Sequence, residues 1–216
     1  SHSSKTDEPT TIRLVLTLTI AGLVAGMALV GTYLFTKPII EANKQRELEE
    51  SIFIVLPGCK RFLVLENQNQ KLVKVSPKAK SKNPRIYLGF DEHGKMVGFA
   101  IPGKEAGFQD VIEAIFGYHP KEDVIVGFRV LESRETPGLG DKITKDKDFL
   151  NNFKALAVSP IIVPVKKGEK KKKNELETIT GATISSKAVV RLLNKAIQYW
   201  KPLIHDYLKR NSSHEG

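Results

Sequence analysis

The stretch that most limits how this chain can fold is Leu14–Phe35, "LVLTLTIAGLVAGMALVGTYLF", which carries no charged residue. As a helix rising roughly 1.5 Å per residue, it is long enough to cross the ~30 Å hydrocarbon core of a bilayer. Arg13 and Lys37 bracket the run, and Tyr33 lies where an interfacial aromatic belongs. A cleavable signal peptide has a shorter apolar region, about 7–15 residues, followed by a small-residue cleavage site, and no such site follows here. The run is therefore expected to be an uncleaved membrane anchor. Within it, Gly22 and Gly26 stand at GxxxG spacing among alanines. That spacing suits an ordinary membrane helix as well as a thin face for close packing against another helix. Lys5 and Arg13 precede the run, and Lys37, Lys44 and Arg46 follow it, so the positive-inside rule leaves the orientation open.

What remains after the anchor is enough chain for one well-buried core. Hydrophobic residues make up 41% of the sequence and charged residues 27%, which excludes global disorder. The net charge is +10, part of it in one run, "KKGEKKKKNE" (Lys166–Glu175). Such a block marks a solvated loop or an interaction surface. No basic pattern with interleaved aromatics accompanies it, so no nucleic-acid partner is expected. Cys59 is the sole cysteine, which excludes an internal disulfide, an iron–sulfur cluster and CxxCH haem attachment; a packed or idle thiol is the default. His2, His93, His119, His205 and His214 are scattered without metal-ligand spacing, so no metal site is expected.

After Lys37-Pro38, the apolar spacing of Ile40, Leu48, Ile52 and Leu56 predicts a helix closed by Pro57-Gly58. Strands are predicted at 61–66, 71–75, 85–91, 95–101, 123–132 and 161–165. "DEHGK" is read as a hairpin turn, and the Lys run as a second turn leading into "ELETIT". One helix is predicted at 147–155 and a longer one at 185–199. On the longer helix, Val189, Leu193, Ala196 and Trp200 form an apolar stripe facing the sheet. Pro202 is expected to bend or restart the last segment, 203–210. Strands dominate and βαβ alternation is absent, so the fold class is α+β with a mostly antiparallel sheet. The expected boundaries are a tail at 1–13, the anchor at 14–36, a linker helix at 37–60 and one domain at 61–216.

Two loops stand out. In "ESRETPGLGDKI" (Glu132–Ile143), Pro137-Gly138 suits a type II turn, and Gly140 permits another unusual backbone angle. Glu135, Thr136, Asp141 and Lys142 crowd polar groups around bare backbone, which fits either a tight surface turn or close approach by a flat ligand. In "ELETITGATISSKAVVRLLNKAI" (Glu175–Ile197), the hydroxyls of Thr178, Thr180, Thr183 and Ser185 surround a Gly-Ala pair before the long helix. Capping needs fewer hydroxyls than this, whereas a phosphate would find free N–H groups and a positive dipole end at such a helix start.

Together the loops resemble the FMN-binding domain family of membrane electron-transport complexes. The match rests on Glu177, Thr180, Gly181, Ala182, Thr183 and Ser185, on "ETPGLG" upstream, and on the preceding "GFQDVIEAIFG" that contains Phe108. The family's usual Asp is Glu177 here. From the anchor to about residue 200 the chain is similar to the G subunits of the Rnf complex. It is less similar to the C subunits of the sodium-pumping NADH:quinone reductase, which share both motifs.

The resemblance implies FMN covalently joined through its phosphate to Thr183. Thr180 and Ser185 would cap or bind phosphate oxygens, and Gly181 and Ala182 would leave the approach clear. Thr136, Gly138, Leu139, Gly140, Lys142 and Phe108 would lie around the flavin, and Glu177 would serve attachment. It further implies an electron-relay subunit of an ion-translocating ferredoxin:NAD+ oxidoreductase, with no acid–base pair of its own, so that Glu132 and Glu135 form no catalytic dyad. The implied partners are other subunits of the complex, a flavin transferase that uses FAD and a divalent cation, and membrane lipid. The implied location is the inner or plasma membrane, with residues 1–13 cytoplasmic and the flavin domain outside, on the periplasmic side.

Overall fold

The computed structural model describes residues 11–212. The chain divides into two compact units, one within the first 46 residues and one from Glu47 onward. Helix α1 (Thr11–Val55) contains an 18-residue window of mean hydropathy 2.3, none of it buried, long and apolar enough to cross a membrane. The helix is continuous through Pro38, where a separate linker helix was expected. Proline removes one N–H and crowds the carbonyl four residues back. Helices of this kind tolerate the loss when neighbouring hydroxyls fasten the turn, and Thr36 donates to the carbonyls of Thr32 (2.8 Å) and Tyr33 (3.3 Å).

The second unit is α+β. Its main sheet comprises β1 (Arg61–Gln68), β2 (Lys71–Val75), β3 (Arg85–Phe90), β4 (Met96–Ala106), β5 (Val111–His119), β6 (Val124–Glu132) and the short β7 (Leu156–Ala157). The strand order is β2-β1-β3-β4-β5-β6-β7, and every neighbouring pair is antiparallel. The "DEHGK" stretch closes the β3–β4 hairpin as expected: the Asp91 carboxylate accepts from the amides of His93 and Lys95, both at 2.9 Å. Strand β5 is not among the predicted strands. From Ala114 to Tyr118 it is buried without interruption, so it lacks the alternation that identifies a half-exposed strand.

The sheet is covered on both faces. On one lies α4 (Thr183–Ser212), whose Val189, Leu193 and Trp200 pack in a core with Phe99, Ile101, Phe116 and Tyr118. On the other lies the end of α1, where Ile52, Val55 and Leu56 pack with Val64, Tyr87, Ala100 and Ile115. This second contact depends on bare backbone in the sheet. A Cβ at Gly127 would stand 2.5 Å from the Val55 carbonyl oxygen, and one at Gly117 would collide with the same atom. Cys59 is buried beside this helix end, and burial pushes its thiol pKa up.

Three further local expectations are corrected. Helix α4 does not restart at Pro202 but continues through it as one element, with Trp200, Leu203 and Ile204 holding both sides of the proline on the core. The carbonyl that Pro202 leaves without a donor belongs to Gln198, on the exposed side where water can satisfy it. In place of one helix at 147–155 there are α2 (Lys142–Lys145), α3 (Lys147–Asn151) and a 3₁₀ turn (Asn152–Lys154). Asp146 caps α3 by accepting from the Phe149 amide at 2.8 Å, and the Asn152 side chain bonds the backbone of Glu177 on both its N–H and C=O. Finally, β8 (Val163–Val165) and β9 (Glu175–Glu177) pair in parallel, so the Lys run lies on a return loop and not in a hairpin turn.

Candidate functional site

The two loops that stand out in the sequence meet a third, the β4–β5 turn at Gly107–Asp110, around a cavity of about 330 Å³. Phe108 comes from the β4–β5 turn, Leu139 and Gly140 from the loop after β6, and Gly181–Ser185 from the start of α4. Phe108, Leu139 and Ile184 are 60%, 49% and 53% exposed. Three large apolar side chains held in water around one concavity mark a place where something apolar binds.

Each wall has a local cause. In the loop after β6, the Leu139 amide donates to the Thr136 carbonyl (3.1 Å), and the Gly138 amide donates to the Asp141 carboxylate (2.7 Å). Gly138 takes φ +77°, a left-handed angle that glycine adopts without strain. A hydrogen bond from Lys145 lowers the Asp141 pKa, with a smaller contribution from the Gly138 amide. At the start of α4, Gly181 takes φ +83°, and the chain is pinned from inside by Ser186. The fully buried Ser186 hydroxyl accepts from the Ile179 amide (3.0 Å) and donates to the Ala182 carbonyl (2.8 Å). Thr183 is the first residue of α4, two residues earlier than predicted, and is exposed. The first amides of a helix have no intrahelical acceptor and carry the positive end of its dipole, so the Thr183 hydroxyl stands where an anion is favoured.

The structure brings together Phe108, Leu139, Gly140, Gly181, Ala182, Thr183 and Ser185 from the residues singled out in the sequence, and adds Ile184. It does not place Thr136, Gly138, Lys142, Glu177 or Thr180 in the cavity wall. Glu177 is on β9, and its carboxylate accepts from the Gly168 amide (2.8 Å) in the Lys loop. Thr180 is exposed outside the cavity. The Ser185 hydroxyl is buried and donates to the Glu135 carboxylate, so it faces away from the role of phosphate ligand that its motif position implies.

Besides Ile184, sequence reasoning missed the roles of Glu135 and Ser186. Ser186 reads as one more hydroxyl in a run of them, and Glu135 as one more charge in a polar turn. A signal for Ser186 was available: a hydroxyl four residues past Ala182 can bond back to that carbonyl.

A larger cavity of about 620 Å³ lies elsewhere, between Ser159–Ile161 and the 194–205 stretch of α4. Three of its polar side chains, those of Ser159, Asn194 and Lys201, are already engaged. Lys201 donates to Asp123 and Ser159, and the Asn194 side chain bonds both backbone groups of Ile162. The smaller cavity is the better candidate, because of the two it alone joins exposed apolar walls to a helix start. Among the described residues, no group of His, Cys, Asp or Glu could hold a metal ion.

The smaller cavity's donor set suits FMN. Flat apolar walls match an isoalloxazine ring, bare glycine backbone permits close approach, and a helix N-terminus with an exposed hydroxyl matches a phosphate.

Residues 107–198 match the FMN-binding domain family. The G subunit of the ion-translocating oxidoreductase complex from Aliivibrio fischeri is 32% identical, over 82% of this chain and 85% of its own length. The G subunit of the Na(+)-translocating ferredoxin:NAD(+) oxidoreductase complex from Acetobacterium woodii is 29% identical, over 88% of this chain and 92% of its own. The crystal structure of NqrC from Shewanella oneidensis shares the fold with a TM-score of 0.59, covering 76% of this chain and 99% of that one at 19% identity.

Proposed function

The chain belongs to the family of G subunits of ion-translocating oxidoreductase complexes, and from that premise we propose that it is the FMN-carrying electron-relay subunit of a membrane ferredoxin:NAD+ oxidoreductase, with the flavin held as a phosphodiester on Thr183. The observation that carries the reading is the exposed Thr183 at the first turn of a 30-residue helix, beside a cavity with apolar walls. The ferredoxin:NAD+ reaction is the one named for the Acetobacterium woodii relative.

When bound, FMN supplies one-electron transfer between neighbouring redox centres. The chain's own residues bind and orient. The open amides and dipole of α4 favour a phosphodiester's negative charge at Thr183 Oγ1. Phe108, Leu139 and Ile184 exclude water from an apolar ring, and Gly140 and Gly181 leave room for it at the backbone. Attachment from FAD would form the ester bond at Thr183 Oγ1 as the pyrophosphate bond of FAD breaks, AMP leaving and the hydroxyl proton being released, so the chain gains FMN less one water. A covalent tether suits a carrier outside the cytoplasm, where a dissociating cofactor would be lost. In this reading residues 14–36 cross the membrane, residues 1–13 are cytoplasmic, and the domain stands on the far side with its partner subunits.

Co-expression with a flavin transferase tests the assignment. The intact mass should exceed the polypeptide by FMN less one water, and the denatured band should fluoresce. Thr183→Ala should lose both signals completely while the domain stays folded. A fluorescent Thr183→Ala band on a denaturing gel would sink the assignment. Without the transferase, the chain should be folded and colourless.

A further inference from the structure

Glu135 is the side chain through which all three segments around the cavity touch one another, and the function proposed above leaves it without a role. It is 5% exposed, one residue before the Thr136–Gly140 turn. Its Oε1 accepts from the amides of Phe108 (3.0 Å), Gln109 (3.1 Å) and Asp110 (3.4 Å). Its Oε2 accepts from the Phe108 amide (3.2 Å) and the Ser185 hydroxyl. Gly140 lies flat against the same group: a Cβ there would stand 2.5 Å from Oε2 and 2.8 Å from Ser185 Oγ. At Gly107 a Cβ would collide with Oε1. One carboxylate thus backs three residues of the cavity wall: Phe108, Gly140 and Ser185.

The donors to this carboxylate are backbone amides and a hydroxyl; none is a cation. Burial by itself raises the pKa of such a group, but the bonds from Ser185 and the three amides outweigh burial and hold it below its ordinary value. The anion is therefore the form built into the site. A fixed negative charge behind the cavity, in no ion pair among the described residues, opposes the arrival of further negative charge in that cavity.

We propose that Glu135 is the positioning residue of the flavin site: it fastens the 107–110 turn and the first turn of α4 around the cavity before the cofactor arrives, and its charge holds the potential of the tethered flavin down. The proposal rests on the reading of this cavity as the FMN site.

The full chain is compared as wild type, Glu135→Gln and Glu135→Ala, each produced with and without the flavin transferase. Glutamine preserves the shape. Its carbonyl can accept from the three turn amides, and its NH2 can donate to Ser185 Oγ, which turns from donor to acceptor. Glu135→Gln should therefore load fully with flavin, yet show a more positive midpoint potential. Glu135→Ala, measured without flavin, should speed hydrogen exchange at the amides of Phe108, Gln109 and Asp110 by roughly tenfold or more, since each loses its acceptor. Its loading with the transferase should fall several-fold.

A Gln variant with the wild-type potential, or a folded Ala variant with wild-type exchange and loading, overturns the proposal. If the Ala variant does not fold, the Gln variant decides alone. Failure of the underlying reading is distinguishable, because it shows first in the wild type as a missing mass increment.

Discussion

Glu66 and Glu135 are both acidic side chains buried in the same domain, at 2% and 5% exposure, but their surroundings differ in kind. Glu66, on β1, meets the guanidinium of Arg85 at 3.0 Å and also accepts from the side chains of Gln68 and Asn83, each at 3.0 Å. None of these partners lines the cavity at the start of α4. Arg85 in turn donates to the Ala79 carbonyl at 2.7 Å, so the cluster ties β1 and β3 to the loop before β3. Glu135 is in no ion pair among the described residues, and its donors include the cavity-wall residues Phe108 and Ser185. A buried charge neutralised by an opposite charge is a fastening, and weak evidence of anything further. A buried charge held only by amides and a hydroxyl keeps its field, and a field beside a cavity acts on whatever enters it. The comparison separates a carboxylate that serves the fold from one that serves the site.

The comparison would break if any loss of stability lowered flavin loading, and Gly117→Val tests this with the largest expected effect. The added side chain meets the Val55 carbonyl and Leu56 on the α1 face of the sheet, and none of these nearest atoms belongs to the three loops. Stability should fall by about 3 kcal/mol in chemical denaturation, as overpacking of a tight core does. Loading measured on the folded fraction should match wild type. Reduced loading there would show that the site reads global stability, and the contrast between the two carboxylates would lose its force.

Arg85→Met sharpens the contrast from the other side. In the folded chain Glu66 is held down to about 2 from an ordinary 4.5, by hydrogen bonds from Gln68 and Asn83 and then by Arg85. A depressed carboxylate contributes stability that is present above the unfolded value and lost as pH falls through the folded one. The wild type should therefore lose this contribution between about pH 4.5 and pH 2. Without the guanidinium the folded pKa rises, by less than the full depression, because Gln68 and Asn83 still donate to the carboxylate. The acid-unfolding midpoint should move to higher pH, while flavin loading and potential stay unchanged. A shifted potential in Arg85→Met would place the two charges in one network.

The smallest effect is expected at Gly138. Its left-handed φ of +77° is strained for a β-branched residue, at a cost of about 1–3 kcal/mol, yet open space surrounds it. Gly138→Val should leave attachment at Thr183 intact. It should alter the flavin absorption spectrum, because the strained turn carries Leu139. An unchanged spectrum would mean that the turn is structural and that Leu139 holds its place without it.

The sequence by itself determined a good deal. A long uncharged run with flanking cations specifies a membrane-length helix, since only length and apolarity matter there. The β3–β4 hairpin follows from the Asp91–Lys95 turn, and the stripe Val189-Leu193-Trp200 follows from helical spacing. The Thr180–Ser185 motif, read by resemblance, located the cavity's third wall. All of these are local patterns, legible because neighbours in the chain remain neighbours in space.

Tertiary structure decided the rest. Strand β5 is hidden from pattern reading because both its faces are covered, by α4 and by the end of α1. The course of α4 through Pro202 was set by anchoring on both sides of the proline, which outweighs one missing hydrogen bond. Ser185 looked like a phosphate ligand by its place in the motif, but its partner is Glu135, 50 residues earlier. No spacing rule connects two such positions. The contact exists only because the antiparallel sheet returns the loop after β6 to the start of α4, where a buried carboxylate must find donors and the nearest ones are a hydroxyl and three backbone amides.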